Sequence, residues 1–325
     1  MRIDVHAHYF PAAYTDKLVS LGLNHARGSG QSSDLSGRLR TMDEAKCDHQ
    51  ILSAVGLDTQ VPDLAGAVEG ARVANDLYRA VVDETGGRMR AFGWVPLPYV
   101  EEAIVEARRC LDDLQFEGIC FPCFFQGRPL DDPAFEPFWA ELNSRKAKAY
   151  IHPVGAHSCC HPGMADYNLS MAAGSMAQLQ ITAQRIAYSG LSTRFPDIEF
   201  IFAVCGGYLP YMWERIKRNL TRGLTTRASG AVAANFYSYV DNMPITLQDP
   251  MKPFRRFWYD TSVQDIPEAM LLVQKSYGTD RLLLGSDEIF ASLTEAVTYI
   301  ETNPYLSAAE KTAILDQNAQ RLFRL

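Results

Sequence analysis

Short apolar runs alternate along this chain with longer stretches in which apolar residues recur every three or four positions. The short runs predict buried strands, and the longer stretches predict amphipathic helices. The predicted strands are Arg2–His6, Gln50–Val55, Met89–Val95, Gly118–Phe121, Ala149–His152, Glu199–Val204, Phe257–Asp260 and Arg281–Gly285. The clearest predicted helices are Leu64–Thr85, Val100–Leu114, Pro267–Tyr277 and Ala308–Asp316.

Alternating strands and helices predict parallel strands joined by helical crossovers, and eight such units indicate a closed (β/α)8 barrel, the TIM barrel. An open doubly wound sheet is the alternative, but no glycine-rich phosphate loop follows the first strand. Two long connections interrupt the pattern, Tyr9–Leu39 after strand 1 and Thr221–Arg256 after the helix that follows strand 6. We expect both near the catalytic face or a subunit contact. Residues 1–325 are expected to form a single domain.

Composition narrows the classes of function. The 325 residues include 31 Lys and Arg against 38 Asp and Glu, a net charge of -7 that argues against a nucleic-acid partner. The chain contains no run of about 18 apolar residues, so the sequence predicts no membrane span. The start of the chain, MRIDVHAHYF, lacks the basic and long apolar segments of a signal peptide. Seven cysteines cannot all pair within one chain, so we expect reduced thiols in a cytoplasmic enzyme.

The first strand carries the most informative chemistry, His6 and His8. Side chains two apart on a strand point the same way, so both imidazoles lie on one face at the carboxyl end of the strand. Two such imidazoles can bind one divalent metal ion, and imidazole suits Zn, Fe, Ni or Mn better than Ca or Mg. Taken alone, the pair is also compatible with two polar residues on a half-exposed strand.

The order of motifs along the chain resembles the amidohydrolase superfamily. It is most similar to the branch of aminocarboxymuconate-semialdehyde decarboxylase and the related γ-resorcylate and hydroxybenzoate decarboxylases. The resemblance runs nearly end to end and rests on these segments: IDVHAHYFP (3–11), RLRTMDEAKCD (38–48), YIHPVG (150–155), FAVCGGYLPY (202–211), FWYDTS (257–262) and LLLGSD (282–287).

The resemblance implies a barrel with one divalent metal ion at its carboxyl-terminal mouth, most simply Zn, with Mn or Fe as alternatives. The implied ligands are His6 and His8 from strand 1, His152 from strand 5 and Asp287 from strand 8. Three neutral imidazoles and one carboxylate leave a position open for water or substrate. The competing interpretations are a packed strand-end histidine for His152 and a helix N-cap for Asp287.

One position departs from the family pattern. Val204 stands where the family has a strand-6 histidine, which the resemblance assigns to poising water or delivering a proton, and valine can do neither. Cys205 is its neighbour, but strand geometry directs that side chain away. His157 and His161, in the loop after strand 5, are alternative acids or bases. That loop is equally compatible with a surface segment carrying incidental thiols.

Charged residues elsewhere are candidates for catalysis or substrate binding. Glu288 follows Asp287 and offers a second carboxylate as a proton shuttle or ligand, although a solvated residue at a helix start fits equally. Arg38 and Arg215 match substrate-facing arginines of the family, and a guanidinium can hold a carboxylate with two hydrogen bonds. Asp260 is expected to be a buried carboxylate that supports the metal ligands.

Aromatic residues near predicted strand ends form a further group of candidates. Trp94 and Phe290 are the predicted substrate-binding members, and Phe10, Phe124 and Phe125 lie at similar positions. Such aromatic walls suit an aromatic or conjugated ligand. Cys120 and Cys123 have the spacing of a redox pair, but without a thioredoxin-like context we interpret them as ordinary strand-end cysteines.

These observations predict a metal-dependent, non-oxidative decarboxylase of an aromatic or muconate-like carboxylic acid. The alternative is a hydrolase or hydratase that uses metal-activated water, which Val204 keeps open. A non-catalytic binding protein is the third interpretation, and the intact metal motif argues against it. The resemblance further implies a homodimer acting on a small molecule.

Overall fold

The computed structural model describes residues 1–26, 34–55, 60–154, 163–164, 166–229, 243–262 and 266–325. Within these ranges, none of the helices has both the length and the apolar character needed to cross a membrane.

Eight parallel strands form the sheet at the centre of the molecule. Their order in the sheet follows the chain, and each pairs with the next in parallel register. The strands are β1 (Ile3–His8), β2 (His49–Ser53), β3 (Met89–Gly93), β4 (Gly118–Pro122), β5 (Lys148–His152), β6 (Glu199–Phe202), β7 (Trp258–Asp260) and β8 (Leu282–Leu283).

The sheet closes between β1 and β8. Val5 N donates to Leu284 O at 2.9 Å, and Ala7 forms a parallel bridge with Glu288. Closure turns the sheet into the predicted (β/α)8 barrel, which brings the carboxyl ends of all eight strands to one mouth.

Helices lie between the successive strands along the chain. All six residues of β1 are buried, as expected for parallel strands covered on both faces. The helices are α1 (Ala12–Ser20), α2 (Leu35–Glu44), α3 (Leu64–Glu84), α4 (Val100–Arg108), α5 (Glu136–Ser144), α6 (Ser175–Tyr188), α7 (Leu191–Arg194), α8 (Leu209–Ala228), α9 (Pro267–Tyr277), α10 (Leu293–Thr302), α11 (Ala308–Thr312) and α12 (Asn318–Phe323).

All eight predicted strands are present, with shifted ends. β1 reaches His8 rather than ending at His6, so both histidines belong to the strand. β6 stops at Phe202, because Val204 and Cys205 take left-handed conformations with φ of 50° each. β8 shrinks to two residues, and residues 284–287 lead from it to the site without regular secondary structure.

The two long connections are only partly irregular. The first contains α1 and the start of α2, and residues 27–33 within it lie outside the described residues. The second begins inside α8, which continues to Ala228, and residues 230–242 lie outside the described residues.

Candidate metal centre

Four side chains from three strand ends converge at the mouth of the barrel. His6, His8, His152 and Asp287 each offer one ligand atom, and these atoms lie within 4.8 Å of one another. Asp287 Oδ1 lies 3.2 Å from His6 Nε2 and 3.1 Å from His8 Nε2, while the two Nε2 atoms are 3.2 Å apart. Residues separated by up to 281 positions in sequence therefore share a space that one metal ion can fill.

The other ring nitrogen of each histidine is held from outside this space. His6 Nδ1 lies 3.0 Å from Asp260 Oδ2, and His152 Nδ1 lies 2.7 Å from Pro153 O. His8 Nδ1 is 3.4 Å from Ser53 Oγ. Metal-binding histidines are commonly oriented in this way, with Nδ1 engaged and Nε2 directed at the ion.

Burial keeps two of the imidazoles neutral. Burial lowers the pKa of His8, and the neighbouring Asp287 carboxylate raises it by a smaller amount. Burial lowers the pKa of His152 well below its ordinary value, and the neighbouring His8 and His6 lower it further. A neutral imidazole has a lone pair to donate, which is the form that binds a metal ion.

For His6 and Asp287, neighbouring charges outweigh burial and shift each pKa in the direction that favours the charged form. Burial lowers the pKa of His6, but the carboxylates of Asp260 and Asp287 outweigh it and raise that pKa to about 10. Burial raises the pKa of Asp287, but His6 and His8 outweigh it and hold that pKa well below its ordinary value. Among the described residues, Asp287 Oδ1 is nevertheless buried without a hydrogen-bond partner. A cation among these atoms would satisfy that oxygen, so the residues fit a divalent metal ion.

The backbone around Asp287 is fixed to β1. Asp287 N donates to His6 O at 2.8 Å, and the residue takes a left-handed conformation with φ of 63°. Asp287 is not a helix N-cap, because Ser292 caps the following helix α10. The conformation of Asp287 is therefore set by the site rather than by a helix start.

Arg38 and Glu288 lie together beside the metal ligands. Arg38 is 7% exposed, its Nη2 donates to Glu288 O at 3.3 Å, and its Nε is 3.7 Å from Glu288 Oε2. Glu288 O also accepts from His8 N, which ties the pair to β1. Within the part of the chain that the structure describes, Arg38 Nε and Nη1 are buried without hydrogen-bond partners. A buried guanidinium with open donors is suited to a carboxylate.

Two phenylalanines form an aromatic wall at the mouth. The ring of Phe10 stacks on His8 with centroids 5.7 Å apart, and the ring of Phe290 meets His8 edge-on at 5.4 Å. Phe290 is 58% exposed, so its ring faces the entrance as well as the site. Trp94 is placed differently: it is buried, its backbone N–H group donates to Asn75 Oδ1 at 2.8 Å, and its ring packs against Phe125. Its role in substrate binding stays a prediction.

Val204 and Cys205 form a turn directly after β6. Val204 N donates to Asp260 Oδ1 at 3.0 Å, so its backbone supports the carboxylate that holds His6. A β-branched residue rarely adopts a positive φ, and strain of this kind is typical of functional sites. Cys205 is buried, and its carbonyl accepts a hydrogen bond from Tyr277 Oη at 2.7 Å.

The other candidates from the sequence are not among the four ligands, and two of them lie outside the described residues. Arg215 is exposed on α8, and its role as a substrate-binding residue stays a prediction. His157 and His161 lie outside the described residues. Cys120 Sγ contacts Gly93 O at 3.4 Å and Cys123 Sγ contacts His152 O at 3.7 Å, which places both thiols in the barrel wall.

Several residues that support the site were not predicted from the sequence. Tyr150 Oη donates to Asp260 Oδ2 at 3.1 Å, and Ser262 Oγ donates to Asp260 Oδ1 at 2.7 Å. Gln50 lies on β2 and donates to Asp4 and Glu288. Of these, Asp4 and Tyr150 could have been found from the sequence, because each precedes a predicted histidine ligand by two residues on the same face of its strand.

The family model described as amidohydrolase matches residues 3–325. The chain belongs to the amidohydrolase family. Among curated members, it is 28% identical over 291 residues to 2-amino-3-carboxymuconate-6-semialdehyde decarboxylase of Dictyostelium discoideum, covering 87% of this chain and 74% of that protein. It is 29% identical over 300 residues to γ-resorcylate decarboxylase of Rhizobium sp. strain MTP-10005, covering 89% and 86%.

A solved structure of a similar amidohydrolase fold supports the architecture. Dihydroxybenzoic acid decarboxylase from Polaromonas sp. JS666, with bound manganese and the inhibitor 2-nitroresorcinol, matches with a TM-score of 0.79 at 24% identity. The match covers 100% of this chain and 97% of that one. Both curated relatives are named as decarboxylases.

Proposed function

We propose that this amidohydrolase is a metal-dependent, non-oxidative decarboxylase of an aromatic or muconate-like carboxylic acid. The observation that carries the proposal is the buried cluster of His6, His8, His152 and Asp287 directly beside the open guanidinium of Arg38. A metal site next to a carboxylate-binding cation is the arrangement that such a reaction requires. The decarboxylase activities of the curated relatives support this function over a hydrolase or hydratase.

One divalent ion would be held by His6, His8, His152 and Asp287. When bound, it supplies positive charge that polarises oxygen atoms of the substrate. Zinc is the ion that three imidazoles and a carboxylate predict. The Polaromonas decarboxylase contains manganese, which makes manganese the alternative to test.

The chain's own residues would bind and orient the acid. Arg38 Nη1, which is buried without a partner among the described residues, donates to the substrate carboxylate. Phe290 and Phe10 pack against the planar ring or conjugated chain, and the surrounding burial excludes water. Trp94 and Arg215 are further predicted contacts to the substrate.

The reaction exchanges a carboxylate for a proton at one carbon. A proton bonds to the carbon that carries the carboxylate, the bond from that carbon to the carboxylate breaks, and the electron pair of that bond restores the conjugated system as carbon dioxide leaves. Asp287 and Glu288 are both candidates for the proton transfer, but histidines keep the pKa of Asp287 low and Arg38 pairs with Glu288. These contacts favour His157 or His161 as the acid.

Carbon dioxide release tests the function. Protein loaded with zinc or manganese is incubated with 2,6-dihydroxybenzoate, other hydroxybenzoates and 2-amino-3-carboxymuconate-6-semialdehyde. We expect carbon dioxide and the matching decarboxylated product, and loss of both in Asp287→Asn. Metal-loaded protein that incorporates ¹⁸O from labelled water into a product without releasing carbon dioxide would establish the hydrolase or hydratase instead.

Val204, which stands where the family has a strand-6 histidine, allows a second and independent test of the function. Val204→His introduces the acid–base group that the family pattern contains at this position. Since imidazole can transfer a proton where valine cannot, we expect the decarboxylation rate to rise in this variant. His157→Asn and His161→Asn, made separately, identify the acid in the wild-type protein by the loss of rate.

We also propose that the enzyme is a cytoplasmic homodimer whose residues 1–325 form one domain. Large side chains are exposed near the starts of α6 and α8: Tyr167 is 93%, Met171 53% and Tyr211 78% exposed. Exposed apolar surface of this kind marks protein contacts. Cys47, Cys110 and Cys205 are buried thiols, which suits a reducing compartment. Light scattering coupled to gel filtration measures the oligomeric state, and Tyr211→Asp is expected to shift it to monomer.

A further inference from the structure

Gln50 joins two acidic residues inside the barrel. Its side-chain nitrogen donates to Asp4 Oδ2 at 2.8 Å and to Glu288 Oε2 at 2.7 Å. Gln50 is fully buried, and no described residue forms a hydrogen bond with its side-chain oxygen. One amide therefore holds the Glu288 carboxylate against β1, and the position of that carboxylate depends on Gln50.

Asp4 is itself firmly held, which makes it a fixed anchor for this link. Ser286 Oγ donates to Asp4 Oδ2 at 2.6 Å, and the backbone N–H groups of Ser286 and His6 donate to Asp4 Oδ1 at 2.9 and 3.1 Å. Because Asp4 does not turn, Gln50 does not turn, and the Glu288 carboxylate is fixed in one orientation.

Glu288 occupies one edge of the Arg38 guanidinium. That edge, formed by Nε and one N–H of Nη2, faces two oxygens of the same residue: Glu288 Oε2 at 3.7 Å from Nε, and Glu288 O at 3.3 Å from Nη2. The opposite edge of a guanidinium is formed by Nη1 and the second N–H of Nη2. Arg38 Nη1 is buried and has no hydrogen-bond partner among the described residues, so within them this edge is free to accept a planar anion.

We propose that Gln50 is a positioning residue that determines how the substrate carboxylate is bound. By fixing the Glu288 carboxylate on one edge of Arg38, Gln50 leaves the other edge to receive a single carboxylate with two parallel hydrogen bonds. The inference rests on the proposed function, because it takes the substrate to be a carboxylic acid. Without Gln50, the Glu288 carboxylate is released and competes with the substrate for the free edge.

The test compares two ligands that differ only in the carboxylate. Calorimetry measures the dissociation constants of 2,6-dihydroxybenzoate and of resorcinol, its decarboxylated form, for metal-loaded wild-type protein and Gln50→Met. We expect the substitution to weaken binding of 2,6-dihydroxybenzoate about tenfold and to leave resorcinol unchanged, since one bidentate charged contact is affected. A merely structural role for Gln50 would weaken both ligands equally, and that result would overturn the proposal.

Three controls separate the proposal from other effects. Gln274→Met removes a comparable amide–carboxylate hydrogen bond, from Gln274 Nε2 to Glu310 Oε1 at 2.7 Å on the outside of the barrel, and should change neither ligand. In an Arg38→Met background, Gln50→Met should have no further effect on 2,6-dihydroxybenzoate, and an additional loss there would contradict the proposed route through Arg38. Metal content by mass spectrometry and the unfolding temperature show that each variant is folded and loaded. Gln50→Asn is a second test variant, because the shorter asparagine side chain cannot bring its amide to both Asp4 and Glu288.

The same measurements distinguish this inference from the proposed function. Wild-type protein that binds 2,6-dihydroxybenzoate but releases no carbon dioxide from any acid would refute the decarboxylase, while the ligand comparison still decides the role of Gln50. Wild-type protein that binds resorcinol as tightly as 2,6-dihydroxybenzoate has no carboxylate contact and would refute the role of Gln50.

Discussion

The Asp260 carboxylate orients His6 toward the centre of the metal site, with its Oδ2 3.0 Å from His6 Nδ1. Asp260 is buried, and four further groups fix it: Tyr150 Oη at 3.1 Å, Ser262 Oγ at 2.7 Å, Ser262 N at 3.0 Å and Val204 N at 3.0 Å. β5, β7 and the turn after β6 thus all act on the first ligand through one carboxylate. The geometry of the metal site therefore depends on residues that do not themselves reach the ion.

Replacing Asp260 by Asn should weaken metal binding without unfolding the protein. The amide removes the negative charge that makes His6 a strong ligand, and loss of such a partner typically costs 10- to 100-fold in metal affinity. Competition with a chelator measures the dissociation constant of zinc or manganese. Asp197→Asn, at an exposed position before β6, is the control and should bind metal like the wild type.

Replacing Phe290 by Ala should raise KM for an aromatic acid more than it changes stability. The exposed ring loses contacts with the substrate, and an aromatic pair contributes about 0.5–1.5 kcal/mol beyond its buried area, so a roughly two- to tenfold rise is expected. Leu247→Ala, a 43% exposed position between α8 and β7, is the control. An unchanged KM in Phe290→Ala would remove this ring from the substrate site.

Glu141 should stabilise the fold in a pH-dependent way. Hydrogen bonds from Arg108 at 2.9 and 2.8 Å and from Arg145 at 2.6 Å lower the pKa of Glu141 to about 2. Because this pKa is lower in the folded than in the unfolded state, the stabilisation is present above the unfolded value of 4.5 and is lost as the pH falls toward 2.

Denaturant unfolding of Glu141→Gln measures this contribution. At pH 7 the free energy of unfolding should fall by about 1 kcal/mol, as expected for ion pairs near the surface, and the difference from wild type should shrink below pH 4.5. Glu84→Gln, at an exposed position, should show no such trend. A difference that is constant with pH would mean that packing, rather than charge, accounts for the effect.

Gly207, in the turn after β6, should tolerate no side chain. It has φ of 66°, and a Cβ atom there would lie 2.1 Å from the backbone oxygen of Met176. Gly86 has φ of 58° with nothing within 4 Å of such an atom, so Gly86→Ala isolates the cost of the left-handed conformation, about 1–2 kcal/mol. The unfolding temperature of Gly207→Ala should fall well below that of Gly86→Ala, because α6 must also move. Equal effects would show that the turn adapts.

Periodicity predicted the fold because each barrel strand is a short apolar run that is buried on both faces, and because each crossover helix is amphipathic. The predicted helix Pro267–Tyr277 is confirmed to the residue. The ends of β1 and β6 could not be predicted, because they depend on tertiary contacts. Pairing with β2 and the bridge to Glu288 extend β1 to His8, and the left-handed turn at Val204 ends β6 early.

By itself, the sequence determined the alternation of elements and the shared face of His6 and His8 on β1, since side-chain period is a local property of the chain. The resemblance to the family, rather than periodicity, added His152 and Asp287 to this pair. The sequence could not determine that Gln50 holds Glu288, that Glu288 covers one edge of Arg38 or that Asp260 orients His6. Those relationships join residues up to 254 positions apart, and only closure of the barrel brings them within hydrogen-bonding distance. The tertiary structure decided them because the strength of a polar contact depends on distance and burial, which the order of residues does not contain.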